Sequence, residues 1–84
     1  MKLVFSEQAW EDYLHWQQTD QKCVRRINDL IKVITRTPHG GTGKPEPLRH
    51  ALSGYWSRRI NEEHRIVYKA ADDSVFIAQL RYHY

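Results

Sequence analysis

Cysteine is almost missing from this sequence: Cys23 stands alone. That excludes an internal disulfide framework and a multi-cysteine zinc site, and it points to a reducing compartment. No apolar run approaches the ~20 residues of a membrane-spanning helix. Lys2 interrupts Met1–Phe5 too early for a signal peptide. There are no repeats and no low-complexity linker. Proline and glycine are scarce outside one stretch, with all three prolines and three of the four glycines between Pro38 and Pro47. A length of 84 residues allows one domain, 1–84, and a chain this small buries only ~60% of its unfolded surface. The expectation is a cytoplasmic protein with no membrane association.

What is present is the composition of a packed globule, 40% hydrophobic and 12% aromatic. The net charge of +3 is unevenly spread. Residues 1–21 set Lys2 against Glu7, Glu11, Asp12 and Asp20, a net −3. Residues 22–65 carry a net +6 through Lys22, Arg25, Arg26, Lys32, Arg36, Lys44, Arg49, Arg58, Arg59 and Arg65. The remainder is neutral. A basic middle suits nucleic acid, an acidic protein partner or a phosphorylated ligand, and is equally compatible with an ordinary solvated surface.

Periodicity orders the elements. Leu3-Val4-Phe5 reads as a short strand, and Ser6 as the N-cap of a helix with Glu7 in its first turn. Ala9, Tyr13 and Trp16 form a helical stripe, with Trp10 and Leu14 beside it. Thr19 or Asp20 restarts the chain into a second helix, which ends before Pro38. Its apolar face is Val24, Ile27, Leu30, Ile31 and Ile34, with Cys23 beside it as core. After the Pro38–Pro47 loop the period becomes two. Tyr55–Ile60, Arg65–Ala70 and Val75–Leu80 are expected strands, with Leu48–His50 a further short one. The expected class is α+β: an N-terminal strand, an antiparallel helical hairpin, then an antiparallel β-meander, with the helices packed on one sheet face. Trp10, Trp16 and Trp56 are expected in the core.

Three places invite chemistry. If the hairpin loop is Asn61–Glu63, Ile60 faces His64 and Arg59 faces Arg65 diagonally or directly. Trp56, Ile60, Ile66, Tyr68 and Ala70 then share an apolar face, with Tyr55, Ser57, Arg59, Arg65 and Lys69 on the other. Neighbouring guanidinium groups repel unless an anion or carboxylate sits between them. They suit a phosphodiester, or else Glu62, Glu63 or Glu46 neutralises them structurally. Glu46 lies between Pro45 and Pro47, which restrict its backbone; it is either a well-placed general base or the solvated acid of a stiff connector. The sequence closes on Arg81-Tyr82-His83-Tyr84, where a docked His83 would be a proton donor or acceptor. Tyr82 is expected to close the core. His15, His39, His50 and His64 show no metal spacing with one another or with Cys23, so no metal or cofactor is expected. Gly41-Thr42-Gly43-Lys44 precedes proline rather than a helix and is no phosphate-binding loop.

The runs Gly43-Lys44-Pro45-Glu46-Pro47-Leu48, Leu52-Ser53-Gly54-Tyr55-Trp56-Ser57-Arg58-Arg59-Ile60, Glu63-His64-Arg65-Ile66-Val67-Tyr68 and Arg81-Tyr82-His83-Tyr84 closely resemble the YoeB toxin family of type II toxin–antitoxin modules. The wider group is the RelE/ParE toxin superfamily, which shares the fold and differs in activity. The resemblance extends over Met1–Phe5 and the Trp10–Trp16 helix. It implies a RelE-like fold and a metal-independent, ribosome-dependent mRNA endonuclease acting in the decoding A site. On it, Glu46 is the general base on the ribose 2′-OH, His83 protonates the leaving 5′-oxygen, and Arg65 holds the phosphate with Arg59 beside it. Arg49 stands where the family more often carries lysine. Tyr84 fixes His83 or the RNA. Lys22, Arg25, Arg26, Lys32, Arg36, Lys44 and Arg58 are then left to grip ribosomal RNA. The implied partners are the ribosome and mRNA, a cognate antitoxin that masks the arginine face, operator DNA reached through that antitoxin, and a second toxin copy. The rival is a non-enzymatic toxin of the same fold that inhibits by binding the ribosome or DNA gyrase.

Overall fold

Ser6 and Asp20 decide where the helices begin. In a computed structural model describing residues 1–82, strand β1 (Lys2–Phe5) runs into helix α1 (Glu7–Thr19), and helix α2 (Gln21–Arg36) follows after one residue. Ser6 Oγ accepts from the Ala9 N–H, satisfying one of the free donors of the first turn. Asp20 closes α1 through its own N–H to the Trp16 carbonyl and opens α2 by accepting from the Cys23 N–H. One residue therefore makes the helical hairpin.

The remaining elements are β2 (Glu46–Pro47), a 3-10 turn (His50–Leu52), β3 (Trp56–Arg59), β4 (Arg65–Ala71) and β5 (Ser74–Gln79). They form one sheet in the order β1-β5-β4-β3-β2. The meander is antiparallel as expected from β3 to β5. β1, however, joins the far edge parallel to β5, pairing Lys2 with Ser74 through Phe5 with Ile77, so the sheet is mixed. The short strand is also displaced from its expected position at Leu48–His50. Pairing is made by Glu46 and Pro47 against Ser57 and Trp56, while His50 takes φ +59° and turns the chain away. Pro47, lacking an N–H, fits here because β2 is an edge.

Asn61 sets the β3–β4 register. Its Oδ1 accepts from the N–H groups of Glu63 and His64, an Asx turn that leaves Arg59 opposite Arg65. The helix-facing side of the sheet supplies Ile66, Tyr68, Val75 and Ile77 to a core completed by Ile27, Leu30, Ile34 and Trp16. Trp56 is half-buried beside it, but Trp10, expected inside, is 51% exposed. Tyr82, expected to close the core, is 59% exposed.

The same parity corrects Arg58. Lying two residues from both Trp56 and Ile60, it points to the helix side and is 0% exposed. Its Nε donates to Tyr68 Oη at 3.0 Å, Nη1 to the Thr42 carbonyl at 2.9 Å and Nη2 to the Thr37 carbonyl at 2.6 Å. Tyr68 Oη in turn donates to the Pro38 carbonyl. Arg58 is thus a buried staple for the 37–43 loop and has no surface from which to grip RNA. Gly43 completes the staple: at φ +93°, a Cβ there would lie 2.9 Å from Leu30 Cδ2 and 3.2 Å from Arg58 Cβ.

Candidate active site

With the helices on one side, the other side of the sheet is open, and pairing arranges it in transverse rows. Arg59 and Arg65 form one row. Glu46, Ser57, Val67 and Gln79 form the next, each opposite its neighbour across β2, β3, β4 and β5. The acid and the cation expected to act together are brought into contact at the junction of these rows. Arg65 Nη2 lies 3.4 Å from Glu46 Oε1.

The two partners are held differently. Arg65 is buried, and its Nε donates to Ser57 Oγ at 3.1 Å. Ser57 is itself fully buried, so the guanidinium plane is fixed from beneath. Glu46 presents a side chain 53% exposed. A fixed cation beside an accessible carboxylate can bind an anion while the carboxylate accepts a proton.

Arg59 is exposed on the same face. Its backbone is anchored on both sides, its N–H to the Gly43 carbonyl and its carbonyl to Arg26 Nη2. Arg49 is exposed at the start of the 3-10 turn, beside a hollow of about 550 Å³ lined by residues 46–52. Lys22, Arg25, Lys32 and Arg36 are exposed on α2, which packs against the opposite sheet face, and the structure does not gather them at the acid–arginine pair. Lys44 is exposed in the loop before β2. His83 and Tyr84 lie outside the described residues.

The approach of the chain to that end is nevertheless well anchored. The Leu80 N–H donates to the buried Asp12 carboxylate, and Trp16 Nε1 donates to the Leu80 carbonyl, both at 2.9 Å. The Tyr82 N–H donates to His64 Nδ1 at 2.7 Å, while the Tyr82 carbonyl accepts from the Arg65 N–H at 3.1 Å. Trp16 packs edge-on against the His64 ring. His64, considered from sequence only as a metal ligand, instead acts as a backbone acceptor beside Arg65. Ser57, Asp12 and His64 are the residues that sequence reasoning left without a role. Asp12 had a signal, an acid on the same helical face as Ala9 and Trp16.

Among the described residues, no three His, Cys, Asp or Glu side chains cluster to hold a metal ion. Cys23 is no nucleophile, because burial, with Asp20 adding to it, pushes its thiol up to about 11. Burial likewise raises the Tyr68 phenol, with Arg58 opposing.

Comparison with known proteins adds a family. The profile of the YoeB-like toxin of bacterial type II toxin–antitoxin systems matches residues 5–84. Toxin YoeB of Escherichia coli (strain K12) is 63% identical over 84 residues, the full length of both chains. Among solved structures, the YoeB dimer from Staphylococcus aureus superposes with a TM-score of 0.94 at 50% identity, covering 100% of this chain and 98% of that one. The YoeB-YefM complex from the same organism gives 0.92 at 49% identity, with the same coverage.

Proposed function

The chain belongs to the YoeB-like toxins of bacterial type II toxin–antitoxin systems, and on that premise we propose that it is a ribosome-dependent mRNA endonuclease. It cuts the transcript in the decoding A site and arrests translation in the cytoplasm. The observation that carries this reading is the Glu46–Arg65 contact on the open sheet face, a half-exposed carboxylate beside a guanidinium fixed by Ser57.

RNA cleavage by its own 2′-OH requires one proton to leave the nucleophile and one to reach the leaving 5′-oxygen. Glu46 takes the first and His83 supplies the second. Together such transfers contribute about 10²–10⁴-fold. As the 2′-oxygen attacks, negative charge gathers on the nonbridging oxygens, where Arg65 already stands oriented and Arg59 and Arg49 add cations from the exposed rim. Each preorganised donor of this kind is worth about 3–4 kcal/mol of transition-state stabilisation. Tyr84 positions His83 or the RNA. The two protein groups move both protons, so the scheme runs without a metal ion.

The partners follow the relatives: an antitoxin of the YefM kind that covers the arginine face, and a second copy of the toxin. The test is cleavage of mRNA on programmed ribosomes. Glu46→Ala and His83→Ala should each lower the rate by at least about 10²-fold. Products should carry 2′,3′-cyclic phosphates, and a 2′-deoxy position should remain uncut. Ends bearing 3′-hydroxyls would overturn the mechanism.

A further inference from the structure

Beyond the Glu46–Ser57 row, the open face carries a third row of a different kind. Phe76 is paired with Lys69 on one side and with Val4 on the other. Tyr55, one residue before the Trp56–Tyr68 pair, continues the row at the β3 side. Lys69 Nζ sits 5.2 Å from the centroid of the Tyr55 ring and 5.6 Å from that of Phe76. Both separations lie within the range in which a ring face attracts a cation. The ion pairs among the described residues are Met1–Asp73 and Arg65–Glu46, so Lys69 is steadied by rings and keeps its charge uncompensated. Phe76 is 36% exposed. Next to the rings lies a hollow of about 180 Å³, walled by Tyr55, Phe76, Val4 and Ala78 with Ser6 at its edge.

We propose that Tyr55, Lys69 and Phe76 form a nucleotide subsite, in which a base of single-stranded RNA stacks against the aromatic walls and its phosphate meets the Lys69 ammonium. A flat apolar slot with one uncompensated cation matches the two parts of a nucleotide, the π-face and the phosphodiester. Position supports the same occupant. Four residues along β4 separate Lys69 from Arg65, about 13 Å on the same face, which is the reach of a strand continuing past the cleaved bond. The Arg59–Arg65 row and Lys69 then form one cationic track flanking Glu46. The subsite rests on the reading that the substrate is RNA, and it adds a contact that holds a neighbouring nucleotide and favours bases that stack well.

The test uses binding rather than cleavage, so that the two readings can fail separately. The intact protein is titrated with a short fluorescent RNA strand, 2′-O-methylated throughout and therefore uncleavable by 2′-OH attack, over a series of salt concentrations. Lys69→Gln should reduce the slope of log affinity against log salt by about 0.7, the loss of one phosphate contact on a single strand. Tyr55→Leu should weaken binding about 5- to 150-fold with the slope unchanged, and Tyr55→Phe, which keeps the ring, should bind as the parent does. Glu11→Gln, an exposed charge on α1 behind the sheet, should change neither quantity. An unchanged slope in Lys69→Gln overturns the proposal, as does a Tyr55→Phe variant as weak as Tyr55→Leu. It is also overturned if the parent does not bind at low salt. Polyglutamate competing through Lys69 with no dependence on the Tyr55 ring would mark a general anion patch and overturn it too. If the binding pattern holds while ribosomal mRNA stays uncut, the subsite stands and the cleavage reading falls.

Discussion

Replacing Arg58 by methionine separates a structural arginine from a nucleic-acid contact. The substitution keeps most of the apolar stem, so that packing changes little, and removes the guanidinium. Three hydrogen bonds go with it: to Tyr68 Oη, to the Thr42 carbonyl and to the Thr37 carbonyl. Tyr68 retains its bond to Pro38, so its hydroxyl is not stranded. The two carbonyls lose a charged donor, and each such loss costs about 1–3 kcal/mol. Thr37 and Thr42 are themselves exposed residues, so water takes up part of the deficit. The lower half of the range applies, about 2–4 kcal/mol for the pair. A domain of this size has about 4–13 kcal/mol in total, so the loss is a large fraction of it. Urea denaturation followed by tryptophan fluorescence reads it directly. With a slope near 1 kcal/mol per molar, as small domains show, the midpoint should fall by about 2–4 M. Arg59→Met, on the exposed face one residue away, should stay within about 0.5 kcal/mol of the parent. A buried cation replaced by a hydrophobic side chain can also stabilise a protein. A midpoint for Arg58→Met equal to or above that of the parent would refute the staple as a stabilising contact.

Three further outcomes are expected. His64→Leu removes the acceptor of the Tyr82 N–H, whereas His64→Asn keeps an oxygen near the Nδ1 position; amide exchange at Tyr82 should accelerate about 5- to 13-fold in the first and stay near parent in the second, a net bond of this kind being worth about 1–1.5 kcal/mol. Because burial raises the Cys23 thiol from 9.0 to about 11, the fold favours its neutral form. The resulting stability is present below pH 9 and is lost as pH rises through 11; Cys23→Ala should flatten that part of the stability–pH curve, and iodoacetamide at pH 8 should label the folded protein far more slowly than the urea-unfolded one. Gly43→Ala meets both a left-handed backbone and a 2.9 Å approach to Leu30, and should destabilise by about 1–3 kcal/mol in the same urea assay.

The register of β3 and β4 was legible because alternation leaves little choice: sliding Arg65 to the helix side would have put a charge into the apolar core and taken Ile66 out of it. The same alternation carried the answer for Arg58, flanked at two-residue spacing by Trp56 and Ile60, but net charge grouped it with exposed cations. Contact between Glu46 and Arg65 could be anticipated only as one of several neutralising pairs, since local sequence does not say which edge β2 occupies. The parallel partner of β1 was invisible for a related reason: Leu3-Val4-Phe5 states that a strand exists and carries no record of what lies 70 residues away. Trp10 had the helical spacing of a core residue, yet α1 turns its Ala9–Asp12–Trp16 side inward. The His64 latch is a contact between an imidazole nitrogen and a backbone amide 18 residues later, and no side-chain pattern encodes such a partner.

The pairing of residues 2–5 with residues 74–77 has a consequence in time. A growing polypeptide makes β1 and both helices first, and none of them has a sheet to lie on until β4 and β5 follow. Closure of contacts so distant in sequence is the slow kind of folding event. The Glu46–Ser57–Arg65 arrangement comes together only when β4 docks between β3 and β5, so the reactive face is absent from the partly made chain. By this topology the face that carries the proposed chemistry cannot assemble on a growing polypeptide before β4 and β5 have been made.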